Sequence, residues 1–175
     1  MIQVRAAVEA DLGEVTHIYN DAILTTTATF DTEVRTPDQG RAWFAEHHGR
    51  YPVLVAEDEG RIVGWASLSP MGTRPGWRYT VEDSVYVHRD CRGRGTGRAL
   101  LEELVRQGRQ QGFHVIIARI VTDNAPSIKL HERLGFEVVG CECEVGRKFG
   151  RWLDLLIMQL TFDEGQAPSR EAGGS

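Results

Sequence analysis

The stretch best suited to chemistry is Arg92-Gly93-Arg94-Gly95-Thr96-Gly97, which runs into Arg98-Ala99-Leu100-Leu101-Glu102-Glu103-Leu104-Val105. Alternating glycines let the backbone turn tightly and let a ligand come close to the main chain. Leu100, Leu101, Leu104 and Val105 follow at helical spacing. Such a loop delivers N–H groups at the positive end of a helix dipole, which makes an anion site. Arg92, Arg94 and Arg98 add formal positive charge. A phosphate or pyrophosphate is the anion these features suit best. The run lacks the Gly-Lys-Ser/Thr ending of a P-loop. It also lies mid-chain, whereas the dinucleotide fingerprint follows an early strand and has an acidic residue about 20 positions on. Taken alone, the run can also be a surface turn that caps a helix.

The loop is fed by Tyr79-Thr80-Val81-Glu82-Asp83-Ser84-Val85-Tyr86-Val87. Strand alternation puts Thr80, Glu82, Ser84 and Tyr86 on one face and Val81, Asp83, Val85 and Val87 on the other. Glutamate is a poor strand former, so Glu82 here asks for a reason. A half-buried carboxylate has a raised pKa and becomes a better base near neutrality; a solvated charge on an exposed face is the plainer alternative. Asp83 reads as the bland member of the pair. His131 lies on a short helix, where imidazole serves as acid or base near neutral pH or is merely packed.

The elements that must position these residues follow from periodicity. Ile2 to Ala6 alternates as a strand, and Ala10 to Leu24 has helical spacing. Thr25 to Phe30 is a connector or a pocket wall. Thr36-Pro37 starts a helix that runs to about His48 and is expected to bury Trp43 and Phe44. Val53 to Glu57 and Arg61 to Leu68 form a hairpin about Asp58-Glu59-Gly60. Ser69 to Gly76 is a loop, and Trp77 to Val87 a long strand. Gly112 stops the helix after the glycine loop. Val115 to Val121 is a buried strand broken only by Arg119. Ser127 to Leu134 is a helix, and Phe136 to Val145 and Trp152 to Thr161 are closing strands joined by Gly146 to Arg151. The order is α/β with a mixed sheet and one domain over 1–162, the helix after the glycine loop making a right-handed crossover between parallel strands. Residues 163–175 are Gly-, Ser- and Glu-rich and read as a disordered tail.

With 175 residues the chain can bury a sizeable core, and a net charge of −5 argues against general nucleic-acid or acidic-membrane affinity. It shows no signal peptide and no membrane-length apolar run. Three cysteines suit neither a disulfide framework nor a metal site. Cys141 and Cys143 share a strand face and are expected to be buried or half-buried. A reduced, cytoplasmic location is the default, and no metal is expected.

Arg92-Gly93-Arg94-Gly95-Thr96-Gly97 resembles the Arg/Gln-x-x-Gly-x-Gly/Ala acyl-CoA signature of the GNAT superfamily of N-acetyltransferases. The element order resembles that fold from Ile2 to about Leu160. More narrowly, the chain is similar to the phosphinothricin and methionine sulfone/sulfoximine acetyltransferase group. The stretches that carry this are Tyr79 to Val87, Asn124-Ala125-Pro126-Ser127-Ile128-Lys129-Leu130-His131-Glu132-Arg133-Leu134-Gly135-Phe136, and Val145-Gly146-Arg147-Lys148-Phe149-Gly150-Arg151-Trp152-Leu153-Asp154.

The resemblance implies a mostly antiparallel sheet with a splayed central parallel pair, acetyl-CoA as co-substrate, a small amino-acid-like amine as acceptor and a homodimer. It places the CoA pyrophosphate on Arg92, Gly93, Arg94, Gly95, Thr96 and Gly97, and the pantetheine arm along Val85, Tyr86 and Val87. Asn124 then either reaches the pantetheine or caps the next helix. Glu82 matches the family's acidic base. His131 stands where much of the superfamily has tyrosine, and as base for the amine or acid for the thiolate it stays open. Arg74, Arg78 and Lys148 are the candidates for a substrate carboxylate, because cations, Arg above all, pair with carboxylates. Acetylation of a protein N-terminus or other amine, and non-catalytic acetyl-CoA binding, are the alternatives.

Overall fold

The computed structural model describes residues 1–47 and 49–163. The expected tail therefore lies outside the described residues apart from Asp163, as does His48. Seven strands form one sheet in the order β1-β2-β3-β4-β5-β7-β6. They are β1 (Gln3–Ala6), β2 (Val53–Asp58), β3 (Arg61–Pro70), β4 (Thr80–Val87), β5 (Val115–Val121), β6 (Glu137–Lys148) and β7 (Arg151–Thr161). The helices are α1 (Leu12–Thr25), α2 (Pro37–Glu46), α3 (Thr96–Gln110) and α4 (Ala125–Arg133). The element order is the one read from periodicity.

Pairing is antiparallel throughout except between β4 and β5, which run parallel. That pair registers only at Thr80↔Val115, Val81↔Ile116 and Glu82↔Ile117. Beyond Glu82 the two strands part, while β4 stays paired to β3 as far as Val87 and β5 to β7 as far as Val121. A wedge opens in the middle of the sheet.

Two cores hold the wedge's walls. On one face Leu100, Leu101 and Leu104 of α3 are fully buried against Leu54, Leu68, Val81 and Ile116. On the other, Val15, Ile18, Tyr19 and Ile23 of α1 cover Val55, Ile62 and Trp65. Burying a leucine stabilises by roughly 1.5–3 kcal/mol, so the helical stripe of α3 is the main reason it docks where it does.

Several expectations need correction. Trp43 and Phe44 are half-buried. The residue that α2 buries is Gly40, where a Cβ would sit 2.7 Å from Thr16 Oγ1. Close approach through glycine leaves the larger side chains of α2 at the rim, where Trp43 meets Trp65 edge-on. The strand expected from Trp77 begins at Thr80, because Pro75–Trp77 coils into a short turn in which Trp77 and Arg78 N–H groups donate to Arg74 and Pro75 carbonyls. Cys141 and Cys143 are exposed, because β6 is an edge strand paired only to β7. The connector expected over Gly146 to Arg151 shrinks to Phe149 and Gly150, and both take positive φ.

Leu104→Ala should lower the unfolding free energy by about 2–5 kcal/mol, read from urea denaturation.

Candidate active site

The glycine loop wraps the start of α3. Gly93 and Gly95 take φ of 75° and 87°, a region costly for other residues, and Gly95 is the N-cap. No side chain caps this helix. Its first intrahelical bond is from Ala99 N–H to the Gly95 carbonyl. The amides before it are therefore available to an anion at the positive helix end. Thr96 is buried and its Oγ1 has no partner. A cleft of about 720 Å³ runs from Arg92, Gly93 and Gly97 along Val85–Val87 to Asn124. Free amides, positive-φ glycines and an extended strand beside a groove of mixed polar and apolar lining fit a diphosphate carrying a long flexible arm. Arg92, Arg94 and Arg98 are exposed around that end; Arg92 Nε donates to the Val87 carbonyl and Arg98 pairs with Glu102.

The wedge holds a second cavity of about 280 Å³, which shares Asn124, Val85 and Tyr86 with the cleft. Glu82 and Asp83 both line it. Glu82 is one-third exposed, and Arg119 Nη1 donates to its Oε2 at 2.8 Å. Burial pushes the Glu82 carboxyl above its ordinary value, against the opposing pull of Arg119. Alternation sends Asp83 to the other face, where it is sealed against α4 with His131 Nε2 at 3.0 Å from Oδ2. His131 Nδ1 lies 2.8 Å from the Ser127 carbonyl, which can only accept, so Nδ1 carries a proton. Burial disfavours the imidazolium. The Asp83 carboxylate and the Ser127 carbonyl outweigh that and raise the His131 pKa. Both ring nitrogens are thus engaged.

The roof is the connector after α1. Ala28, Thr29 and Phe30 line the cavity. Tyr86 Oη donates to the Ala28 carbonyl, and the Tyr19 hydroxyl meets Thr29 Oγ1 at 3.0 Å. Lys148 is buried and donates from Nζ to the Thr29 carbonyl at 2.8 Å. Asn124 accepts from Ser127 N–H as the cap of α4 while lining both cavities. Arg74 and Arg78 lie exposed on the connection into β4, stacked over Trp77 and Tyr79. The structure thus gathers Glu82, His131, Asn124, Val85 and Tyr86 around one cavity. Arg74, Arg78 and Lys148 are not among the residues that line it.

Sequence reasoning passed over Asp83 and Arg119. Asp83 was visible as a charge on the apolar face of Val81 and Val85. Arg119 was visible as the one charge in an otherwise apolar strand. Neither signal names the partner, which lies 48 residues away for Asp83 and 37 for Arg119.

A half-buried carboxylate at the foot of a split sheet, with an uncapped helix N-terminus at its open mouth, has the layout of an acyl-carrier transferase site. The Acetyltransferase (GNAT) family model matches residues 15–136, and the chain belongs to that family. Among its relatives, an L-methionine sulfoximine/L-methionine sulfone acetyltransferase from Salmonella typhimurium is 46% identical over 166 residues, 94% of this chain and 97% of that one. The crystal structure of a phosphinothricin acetyltransferase from Sinorhizobium meliloti in complex with AcCoA superposes with TM-score 0.92 at 39% identity, covering 98% of this chain and 94% of the other. A structure named ribosomal-protein-alanine N-acetyltransferase, from Brucella melitensis, gives TM-score 0.89 at 45% identity over 91% of this chain and 99% of its own.

His131→Ala leaves the Asp83 carboxylate sealed without its partner and should cost about 3–5 kcal/mol of stability. In a double-mutant cycle with Asp83→Ala, the second substitution should cost much less than it does alone. Because the folded His131 pKa is raised, the pair's contribution is full below the ordinary histidine value of about 6.5 and is lost as pH rises through the folded value. The wild-type advantage over the double variant should therefore shrink on going alkaline.

Proposed function

We propose that this chain transfers acetyl from acetyl-CoA to the α-amine of a small amino acid of the methionine sulfone, methionine sulfoximine or phosphinothricin kind. The observation that carries the reading is Glu82, a half-buried carboxylate with a raised pKa, placed where β4 leaves β5. The names of the relatives support the substrate class.

The bound thioester supplies an activated carbonyl; the residues do the rest. Main-chain amides of Gly93 to Gly97, with Arg92 and Arg94, hold the diphosphate. Val85, Tyr86 and Val87, no longer paired to β5, offer backbone groups to the amides of the arm, and Asn124 closes its far side. Glu82 takes a proton from the substrate ammonium, so that a neutral amine attacks the carbonyl while a β4 amide near Val87 receives the developing negative charge. His131 lines the cavity, and its raised pKa suits it to be the acid for the departing sulfur. Arg74 and Arg78 place positive charge on the segment leading into β4. Lys148 fixes the roof through Thr29.

β6 is an edge strand with Val138, Val139 and Val145 exposed, and Phe149 and Trp152 stand out at its hairpin end. An apolar edge of this kind suits pairing with a second copy. Free thiols suit the cytoplasm, and the acidic balance suits a small-molecule partner rather than nucleic acid or membrane.

Thiol release from acetyl-CoA should be seen with L-methionine sulfone, L-methionine sulfoximine or phosphinothricin. No release with any of them, while calorimetry shows acetyl-CoA bound, rejects this substrate class; protein N-termini are then the acceptor to test. Glu82→Gln should cut kcat by about 10²–10⁴-fold with cofactor affinity kept. In the wild type kcat/KM should rise with pH through the raised Glu82 value, since the base works only when ionised. Val139→Lys with Trp152→Glu should shift light scattering from dimer to monomer.

A further inference from the structure

The acceptor cavity carries a charge that the proton-transfer scheme leaves unused. Among the described residues that line it, Arg119 is the permanent cation. Ile117 is the last residue of β5 to pair with β4, opposite Glu82. Arg119 stands two positions further along, so alternation returns its side chain to the Glu82 face. Its Nη1 donates to Glu82 Oε2 at 2.8 Å, and each side chain is 32% exposed. A guanidinium has five N–H donors, and that contact uses one. The planar fork can take a second carboxylate without releasing the first.

We propose that Arg119 is a specificity-determining residue that holds the α-carboxylate of the acceptor, so that the site reads an α-amino acid as a zwitterion. The ammonium goes to Glu82 and the carboxylate to Arg119. This rests on the acetyl-transfer reading above.

Charge balance supports the assignment. Glu82 and Arg119 together are neutral, and a zwitterion set against them leaves every charge facing its opposite. An amine lacking the carboxylate brings one unmatched positive charge into a half-buried site, and unpaired charges are costly to desolvate. Asp83 and Glu142 also act on Glu82, and both are acidic, so neither can receive a carboxylate. Ala118, Ile120 and Leu155 supply apolar wall on the β5 and β7 side. Substrate side chains lying there would leave the two ends of the zwitterion at the ion pair.

The test compares L-methionine sulfone with its carboxamide, which keeps the amine and side chain but lacks the negative charge. Rates are taken per unit of unprotonated amine. Wild type should favour the acid. Arg119→Met should raise KM for the acid roughly tenfold or more, the range expected for losing a charged hydrogen bond. The carboxamide should change less than about twofold on the same scale. Arg119→Lys should restore part of the preference, and calorimetric acetyl-CoA binding should be unaltered in both variants. Equal losses for acid and carboxamide would mean Arg119 acts only through Glu82 and would overturn the proposal, as would no change in either. Wild-type enzyme that binds acetyl-CoA yet turns over neither compound overturns the substrate reading itself and this inference with it.

Discussion

The structure depends on the place where β4 and β5 stop pairing. Parallel neighbours in the middle of a sheet are ordinarily bonded along their whole length, since unpaired main-chain groups there are costly. Here the ladder holds for three residues and then fails, while each strand keeps its outer partner. The rigidity of those outer ladders keeps the gap open. The cores beneath and above it are filled by α3 and α1, so neither strand can swing back to close it. Main-chain groups of β4 facing the wedge want partners, and an extended ligand bearing amides is the natural supplier. At the end of the same strand the chain turns through glycines into α3. One split therefore sets both the open stretch of β4 and its distance from the helix end that the glycines make.

Glu82 sits at the vertex of that split, and its position explains its environment. It is the last β4 residue to pair with β5, so its side chain leaves the sheet where the cavity begins. Burial raises its proton affinity, and Arg119 pulls the other way. Two opposed influences thus act on one carboxylate, burial on one side and a guanidinium on the other.

Periodicity made the element order legible, because each helix and strand has an apolar face that only one kind of packing can bury. The glycine loop was legible for a related reason: glycines at alternate positions before a helical stripe have few other uses. What escaped were relationships set by tertiary contact. Arg119 could be seen as a charge in an apolar strand, but that β5 parts from β4 two residues earlier is not written locally. The exposure of Cys141 and Cys143 follows from β6 being at the sheet's edge, a fact of strand order rather than of the residues themselves. Trp43 and Phe44 misled because their apolar character says nothing about Gly40, which draws α2 onto α1 by a different side.

Alternation on β4 gives two neighbouring carboxylates opposite fates. Glu82 faces the acceptor side with an arginine that water can still reach. Asp83 faces α4, where side chains are 3% exposed and a histidine is its partner. Sealed against α4, the aspartate holds His131 and, through it, the helix that Asn124 caps. A one-residue slip of β4 would exchange the two roles and place the longer side chain in the sealed position. The antiparallel ladder from Gly64↔Val87 to Pro70↔Val81 forbids that slip. The register of β3 against β4 thus decides which carboxylate pairs with Arg119 and which with His131.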